Sequence, residues 1–320
     1  MSADPEALAM RLLIGTREGL RDGEGATLGL GGRAIRALAG RPDDAWMVVD
    51  GREVWRVQGR RLTPATAAGA LGDPALTCVL PTRSGVFVGT EGAYLRRFSG
   101  QTRLGNEALA PVAGFDEAEG REDWFTPWGG PPATRSLAID QQGALYVNVH
   151  VGGVLRSDDD GETWRATALN IRADAHQVIA PGGHEGLLLA ATARGLAISR
   201  DRGDSWELDV RGLHATYARA VALSGSTILL SVARGPGGQD AAVYWRSLGG
   251  GEPFVRCQDG LPDRFNGNID THTLVADGPN AAFAGPDGAV YCSADGGRSW
   301  QESFTGLSTV YALLIGPGPG

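Results

Sequence analysis

The sequence contains no lysine, so all 29 basic residues are arginine, and the acidic residues outnumber them at 37. This absence excludes a Schiff-base mechanism and a P-loop phosphate site, because both depend on a lysine amine. The formal net charge of −8 argues against nucleic acid or an anionic membrane surface as the main partner. Nothing in the composition indicates an oligomeric state.

Cysteines and long apolar runs are also scarce. Cys78, Cys257 and Cys292 are odd in number and form no Cys-x-x-Cys pair, which predicts free, mostly buried thiols in a cytoplasmic protein. The start MSADPEALAMRLLIG lacks a basic region followed by an apolar segment and a cleavage site, so we expect no signal peptide. No apolar run approaches the roughly 18 residues needed to cross a membrane.

Glycine is abundant instead, and one octet recurs. The 49 glycines and 17 prolines, with 42% apolar residues, predict short strands joined by tight turns. The pattern Ser-x-Asp-x-Gly-x-(Ser/Thr)-Trp occurs as SDDDGETW from Ser157, SRDRGDSW from Ser199 and SADGGRSW from Ser293, with a degenerate copy, SLGGGEPF, from Ser247. The spacing of 42 to 48 residues is typical of a four-stranded propeller blade.

Short β segments surround every octet, and one series of them runs through the whole chain. Its seven members are RAIRALA at 33, ALTCVL at 75, ATRSLAI at 133, AHQVIA at 175, YARAVAL at 217, THTLVA at 271 and TVYALLI at 309. We therefore expect an all-β, single-domain propeller over residues 1–320, with seven blades of four antiparallel strands. Six blades, with one degenerate blade misread, is the alternative. RLLIGT at 11 would complete the blade that the last segment begins, so that no sheet edge stays open. The Gly/Pro/Trp-rich stretch 105–132 is predicted to be a loop insertion on the ligand face.

The octet resembles the Asp box, or BNR repeat, of sialidases, xyloglucan-degrading enzymes, sortilin-type receptors and photosystem assembly-factor propellers. This resemblance implies a β-propeller over residues 133–306, but these proteins do unrelated things, so it fixes no activity. We expect the octet to form the hairpin between the third and fourth strands of a blade. Its aspartates would accept turn N–H groups, its glycines adopt positive φ and its tryptophans pack between blades. These structural residues are Asp159, Gly161, Trp164, Asp201, Gly203, Trp206, Asp295, Gly297 and Trp300.

Aligning the seven inner segments predicts a functional site. At one position, on one strand parity, every segment has a residue that can form a hydrogen bond. These ring residues are Arg36, Thr77, Arg135, His176, Arg219, His272 and Tyr311. They would form a donor-rich mouth of the central channel that binds a small anionic or carbohydrate-like ligand. A solvated structural ring, neutralised by Asp174 and Asp270, is the alternative.

The first chemistry open to such a ring is anion binding. Three arginines, Arg36, Arg135 and Arg219, could hold a carboxylate bidentately. With Tyr311 as a nucleophile, the set looks like the arginine triad and tyrosine of sialidases, which implies a glycoside-hydrolase-like activity. The (Phe/Tyr)-Arg-Ile-Pro signature that opens sialidase domains is absent from this sequence.

The second chemistry is a metal site. His176 and His272 belong to the ring, and His150 ends a predicted second strand facing the same end of the propeller. Imidazoles from separate strands could hold Zn, Cu or Fe, with Asp174 or Asp270 as hydrogen-bonding partners. The sequence requires no cofactor by itself.

The third possibility is a non-enzymatic interaction scaffold. Trp124, Phe125 and Trp128 lie close together in the predicted insertion. They are interpreted either as an aromatic anchor for a partner or sugar, or as a lid packed onto the propeller.

Overall fold

The structure is a computed structural model that describes residues 10–66, 74–99 and 108–317. Residues 1–9, which belong to the start where we expect no signal peptide, and residues 105–107 of the predicted insertion lie outside the described residues. The described chain forms seven four-stranded antiparallel sheets. Their innermost strands contact one another in a closed ring, so the fold is a seven-bladed β-propeller and the predicted fold class is confirmed.

Consecutive strands of the chain form one blade, and the first strand of each blade lies nearest the axis and the last lies outermost. Blade 1 is the exception, because its innermost strand comes from the end of the described chain. Blade 1 contains β1 (Arg11–Thr16), β2 (Gly19–Asp22) and β3 (Thr27–Gly29), and blade 2 contains β4 (Ile35–Arg41), β5 (Asp44–Val49), β6 (Glu53–Gln58) and β7 (Arg61–Pro64). Blade 3 contains β8 (Leu76–Pro81), β9 (Val86–Thr90), β10 (Leu95–Phe98) and β11 (Ala110–Pro111), and blade 4 contains β12 (Ala133–Ile139), β13 (Leu145–His150), β14 (Gly153–Ser157) and β15 (Arg165–Ala166). Blade 5 contains β16 (Ala175–Ile179), β17 (Leu188–Thr192), β18 (Gly195–Ser199) and β19 (Glu207–Asp209), and blade 6 contains β20 (Tyr217–Ser224), β21 (Thr227–Arg234), β22 (Gln239–Ser247) and β23 (Val255–Arg256). Blade 7 contains β24 (Leu274–Asp277), β25 (Asn280–Ala284), β26 (Val290–Ser293) and β27 (Gln301–Phe304), after which β28 (Val310–Gly316) returns to blade 1.

Both ends of the described chain meet in blade 1. Strand β28 is its innermost strand and pairs antiparallel with β1, from Arg11 opposite Gly316 to Thr16 opposite Val310. This pairing confirms the predicted composite blade. It fixes both ends of the ring by backbone hydrogen bonds, which removes the open edges that the first and last strands would otherwise present.

Helical structure is short in the described chain and is confined to connections. One helix, α1 (Ala113–Asp116), and a 3₁₀ turn at Arg121–Asp123 lie in the predicted insertion, and a second 3₁₀ turn spans Ile171–Ala173. None of these helices in the described residues has the length and apolarity to cross a membrane. The insertion also supplies β11, so part of it is the outer strand of blade 3 and the rest is a packed connection.

The hydrophobic core lies between neighbouring blades. Between blades 6 and 7, for example, Leu229, Phe283 and Trp300 are almost fully buried in one cluster. The Phe283 and Trp300 rings meet edge to face, with centroids 4.8 Å apart. Each octet tryptophan therefore extends from its hairpin into an interblade core, where aromatic packing adds to simple area burial.

The octets form the hairpins between third and fourth strands, as their position predicts. In the first copy Ser157 Oγ donates to Asp159 and accepts the N–H of Gly161, both at 2.8 Å. Asp159 also accepts the N–H of Thr163 at 2.9 Å, and Trp164 Nε1 donates to the carbonyl of Gly161 at 3.0 Å. This closed set of bonds explains why serine, aspartate, glycine and tryptophan recur together.

The other two complete copies repeat the glycine bond, from Gly203 to Ser199 at 2.8 Å and from Gly297 to Ser293 at 2.9 Å. The glycine φ values are 90°, 94° and 83° in the three copies, a region that side chains with a Cβ rarely adopt. One tryptophan differs, because the buried Nε1 of Trp206 has no hydrogen-bond partner.

Candidate functional site

A β-bulge in six of the seven inner strands turns the predicted ring residues toward the axis. In β4, Ile35 pairs with Val49 and Ala37 with Val48, so Arg36 has no partner in the neighbouring strand. At a bulge the extra residue leaves the ladder and its side chain is re-aimed. The same irregularity occurs at Thr77, Arg135, His176 and Tyr311, and in a longer form at Arg219.

His272 reaches the axis differently. It precedes β24, which begins at Leu274, and its φ of 68° lies in the left-handed region. In this conformation its ring nitrogen Nε2 lies 3.0 Å from the carbonyl oxygen of Arg135, on the other side of the channel mouth.

Five of the seven ring residues line one cavity of about 380 Å³ at the axis. They are Arg36, Thr77, Arg135, His272 and Tyr311. The ring residues lie near the starts of the inner strands, whereas the octet hairpins lie at the far end of each third strand. Because successive strands are antiparallel, the cavity and the octets occupy opposite ends of the propeller.

Two of the three arginines in the predicted clamp share a carboxylate of the protein itself. Arg135 Nη2 lies 3.2 Å from one oxygen of Asp270, and Arg219 Nη2 lies 3.1 Å from the other. Burial raises the pKa of Asp270, but the charges of Arg219 and Arg135 outweigh it, so this pKa lies below its ordinary value. Burial and the charge of Arg219 lower the pKa of Arg135. Asp270 therefore occupies the fork that a ligand carboxylate would need.

The third arginine, Arg36, has no such partner. Its side chain is exposed, and its guanidinium lies 4.2 Å from the centre of the Tyr311 ring in a cation–π contact. None of the described acidic side chains forms an ion pair with it. Thr77 beside it donates its hydroxyl to the carbonyl of Thr134. Arg36 is thus the cavity arginine whose donors remain available for a ligand.

A second polar cluster adjoins the cavity. His150 Nε2 lies 3.1 Å from Asp174 Oδ1, and His176 Nε2 lies 3.6 Å from Asp174 Oδ2. Burial raises the pKa of Asp174, but its contacts with the His150 and His176 imidazoles outweigh that effect and lower the pKa, while burial lowers the pKa of His176. His272, the third histidine of the predicted metal set, bonds Arg135 instead, and Asp174 takes its place beside the other two.

The predicted aromatic residues separate into two environments. Trp124 is partly buried and packs on Phe115, with ring centroids 5.6 Å apart. Trp128 is 60% exposed, and its ring centroid lies 5.1 Å from that of His150. Trp124 therefore belongs to the packing of the insertion on blade 4, and Trp128 borders the site.

Two acidic residues of the cavity, Asp50 and Glu91, were missed by the sequence analysis. Asp50 follows the end of β5 and Glu91 follows the end of β9, while His150 is the last residue of β13. All three therefore stand at nearly the same place in successive blades. Extending the blade alignment to the ends of the second strands would have found them.

Comparison with known proteins extends no further than the fold. No protein-family model matches the chain, and no curated protein matches its sequence significantly. Similar solved structures include a GH74 xyloglucanase from Xanthomonas campestris, with 18% identity, a TM-score of 0.58 and coverage of 84% of this chain and 45% of that one. YCF48 from Cyanidioschyzon merolae has 14% identity, a TM-score of 0.58 and coverage of 90% and 96%. U3-55K has 13% identity, a TM-score of 0.60 and coverage of 96% and 86%.

The chain thus spans less than half the length of the xyloglucanase that it matches. At these identities the likeness shows the architecture alone, because propellers of one shape carry unrelated functions. The class that fold and geometry define is a seven-bladed β-propeller with a polar cavity at one end of its axis.

Proposed function

We propose that the protein binds a small sugar-like ligand with an anionic group in the axial cavity. The observation that carries this proposal is that ring residues from five different blades line one cavity of about 380 Å³. This volume lies in the range of small-molecule sites, roughly 300–1,000 Å³. The cavity offers donors from Arg36 and Arg135 and acceptors from Asp270 and Glu91, a mixture suited to a polyhydroxylated ligand.

Arg36 is the residue that we assign to the anionic group. Its guanidinium can bind a carboxylate through two parallel hydrogen bonds, and no described carboxylate of the protein competes for it. Hydrogen bonds to charged groups contribute about 1.5–3 kcal/mol, which corresponds to a loss of roughly 10- to 150-fold in affinity when they are removed. The Arg135–Asp270–Arg219 bridge then serves the hydroxyl groups of the ligand.

A hydrolase-like activity is the finer form of this proposal, with Tyr311 as the nucleophile. The contact between the Arg36 guanidinium and the Tyr311 ring supports it, because a ligand held by Arg36 in this cavity would lie next to Tyr311. One structural neighbour is named as a xyloglucanase, so a glycoside-cleaving propeller of this shape exists.

We also propose a family and a cellular compartment for the protein. The octet sequence and its shared hydrogen bonds support membership of the Asp-box, or BNR, propellers. All three cysteines are free, which supports a reducing, cytoplasmic location.

The test is calorimetric titration with two pairs of sugars that differ only in a carboxylate, glucuronate against glucose and galacturonate against galactose. We expect one acid to bind and its neutral partner to bind at least tenfold more weakly. Arg36→Gln should lose that preference, while Arg41→Gln, an exposed arginine at the other end of the same strand, should keep it. Equal binding of acid and neutral sugar, or full affinity in Arg36→Gln, would overturn the proposal.

Turnover is measured separately with aryl glycosides of the sugar that binds. Tyr311→Phe should keep the affinity and lose hydrolysis. Binding without hydrolysis in the wild-type protein would support the binding proposal and contradict the proposed hydrolase activity.

A further inference from the structure

The cluster of His150, Asp174 and His176 has the composition of a metal site. His150 ends β13, His176 stands at the bulge of β16, and Asp174 lies two residues before it. Their ligand atoms all lie within 4.8 Å of one another. Asp174 adopts a φ of 54°, in the left-handed region that few non-glycine residues occupy.

The hydrogen bonding of His176 leaves one nitrogen unsatisfied. The side chain is 0% exposed, and Nδ1 lies 2.6 Å from the carbonyl oxygen of Ala218. A carbonyl only accepts, so Nδ1 carries the proton and Nε2 of the neutral ring presents a lone pair. This Nε2 has no hydrogen-bond partner and faces an oxygen of Asp174 at 3.6 Å. Two acceptors therefore face each other in a buried place, an arrangement that a cation between them would stabilise.

The bond from Nδ1 to a backbone carbonyl is also what a metal-binding histidine needs. It fixes the orientation of the ring and directs the Nε2 lone pair into the site. In His176 that direction is toward Asp174 and the His150 ring, whose centroid lies 5.2 Å from that of His176. The buried histidine is thus already oriented as a ligand.

His150 is compatible with the same role. Arg135 Nη1 lies 3.3 Å from Nδ1 and 3.4 Å from Nε2 of this ring. Nearly equal distances to both nitrogens place the guanidinium beside the ring face, not along either lone pair. Arg135 therefore does not fix the tautomer, and Nε2 is able to present its lone pair to an ion.

We propose that His150, Asp174 and His176 bind one divalent transition-metal ion, and zinc is the ion with which we would test it. Zinc bonds of about 2.1 Å in a tetrahedral arrangement separate neighbouring ligand atoms by about 3.4 Å. The separations from His150 Nε2 to Asp174 Oδ1, 3.1 Å, and from His176 Nε2 to Asp174 Oδ2, 3.6 Å, lie on either side of that value, and all the ligand atoms lie within 4.8 Å of one another. Small side-chain movements would complete the site.

Three protein ligands leave a coordination position open, as in catalytic zinc sites. His150 lines the axial cavity, and Asp174 lines a second cavity of about 510 Å³ next to Phe125 and Arg194. The ion would therefore be reached from solvent and would border the ligand cavity. This inference goes beyond the proposed function, because the metal would bind whether or not a sugar does.

The experiment is zinc titration of chelator-treated protein, read by calorimetry and by elemental analysis after gel filtration. We expect close to one zinc per chain. Asp174→Asn and His176→Gln keep the size of each side chain and should bind zinc at least tenfold more weakly. His214→Gln is the matched control, because this histidine bonds Tyr244 at 2.8 Å and the carbonyl of Asp240 at 2.9 Å, outside the cluster.

Cobalt substitution of the wild-type protein supplies a measurement that does not depend on variants folding. Four-coordinate cobalt with nitrogen and oxygen ligands should give an intense visible spectrum, which added zinc should remove. A wild-type protein that binds neither ion, or zinc retained in full by Asp174→Asn, would overturn the proposal. Sugar titrations on the metal-free protein keep this outcome separate from the proposed ligand binding.

Discussion

Replacing Asp270 with asparagine should weaken the fold and, at the same site, strengthen the binding of carboxylates. Asp270 bridges Arg135 and Arg219 at 3.2 and 3.1 Å, and its side chain is 43% exposed. Breaking a fully buried ion pair costs about 3–5 kcal/mol, whereas exposed pairs contribute about 0–1 kcal/mol each. With one partner this exposed, we expect the free energy of unfolding to fall by about 1–2 kcal/mol.

The effect on binding has the opposite sign. Asparagine leaves Arg135 and Arg219 without their shared carboxylate, so their donors become available to an anion. One additional charge-assisted contact should raise the affinity for glucuronate by about tenfold, or about 1.4 kcal/mol.

Urea unfolding followed by tryptophan fluorescence measures the change in the free energy of unfolding, and calorimetric titration measures the change in affinity for glucuronate. Asp263→Asn is the matched control, because Asp263 bonds Arg256 at 2.5 Å but is 82% exposed, so its loss should change stability by less than about 0.5 kcal/mol. Unchanged stability together with unchanged affinity would refute the reasoning. In that case the bridge contributes nothing, and neither arginine belongs to the ligand site.

Two further predictions concern the scaffold. Asp209→Asn removes the partner of Arg246, which is 4% exposed, and should lower the free energy of unfolding by about 3–5 kcal/mol in urea titrations at pH 7. Hydrogen bonds from Arg211 lower the pKa of Asp209. The contribution of Asp209 to stability is therefore complete above about pH 4 and is lost as the pH falls through the lowered pKa. In a plot of unfolding free energy against pH, the variant should therefore lose less stability in acid than the wild-type protein does. Gly297→Ala places a methyl group against Leu229 at a φ of 83° and should cost about 2–4 kcal/mol, and a thermal unfolding change below about 0.5 kcal/mol would contradict this.

The blade count was predictable because a propeller repeats one unit. The octets fixed the period and the place of the third hairpin, and the inner segments extended the count to blades without an octet. Blade 1 was predictable by elimination, since the segment that became β28 had no chain left to complete it. Repetition made these inferences robust to errors in any single strand.

The ring residues were found by alignment, although the structural reason differs from strict strand alternation. Arg36, Thr77, Arg135, His176 and Tyr311 are each the unpaired residue of a bulge. The same irregularity recurs at the same place in successive blades, so an alignment locates the position without revealing the bulge. Alternation alone would not have explained why these side chains leave the ladder.

The partners within the site could not be assigned from the sequence. His272 and Asp174 both have a left-handed backbone, with φ of 68° and 54°. Aspartate and histidine adopt this conformation more often than most residues, but only at a small fraction of their positions, so the sequence does not reveal where it occurs. The backbone conformation of His272 turns its ring to the carbonyl of Arg135, and that of Asp174 places its carboxylate between two histidines. Short-range conformation thus decided which of several predicted candidates meet.

The closure of the ring and the geometry of the axial cavity depend on each other. Tyr311 lies on β28 and Arg36 on β4, and these strands are neighbours only because β1 holds β28 in blade 1. The contact of 4.2 Å between the Arg36 guanidinium and the Tyr311 ring therefore joins residues from the two ends of the chain. Any change that loosens the β1–β28 pairing should disturb this side of the cavity first, while the Arg135–Asp270–Arg219 bridge between blades 4, 6 and 7 remains in place.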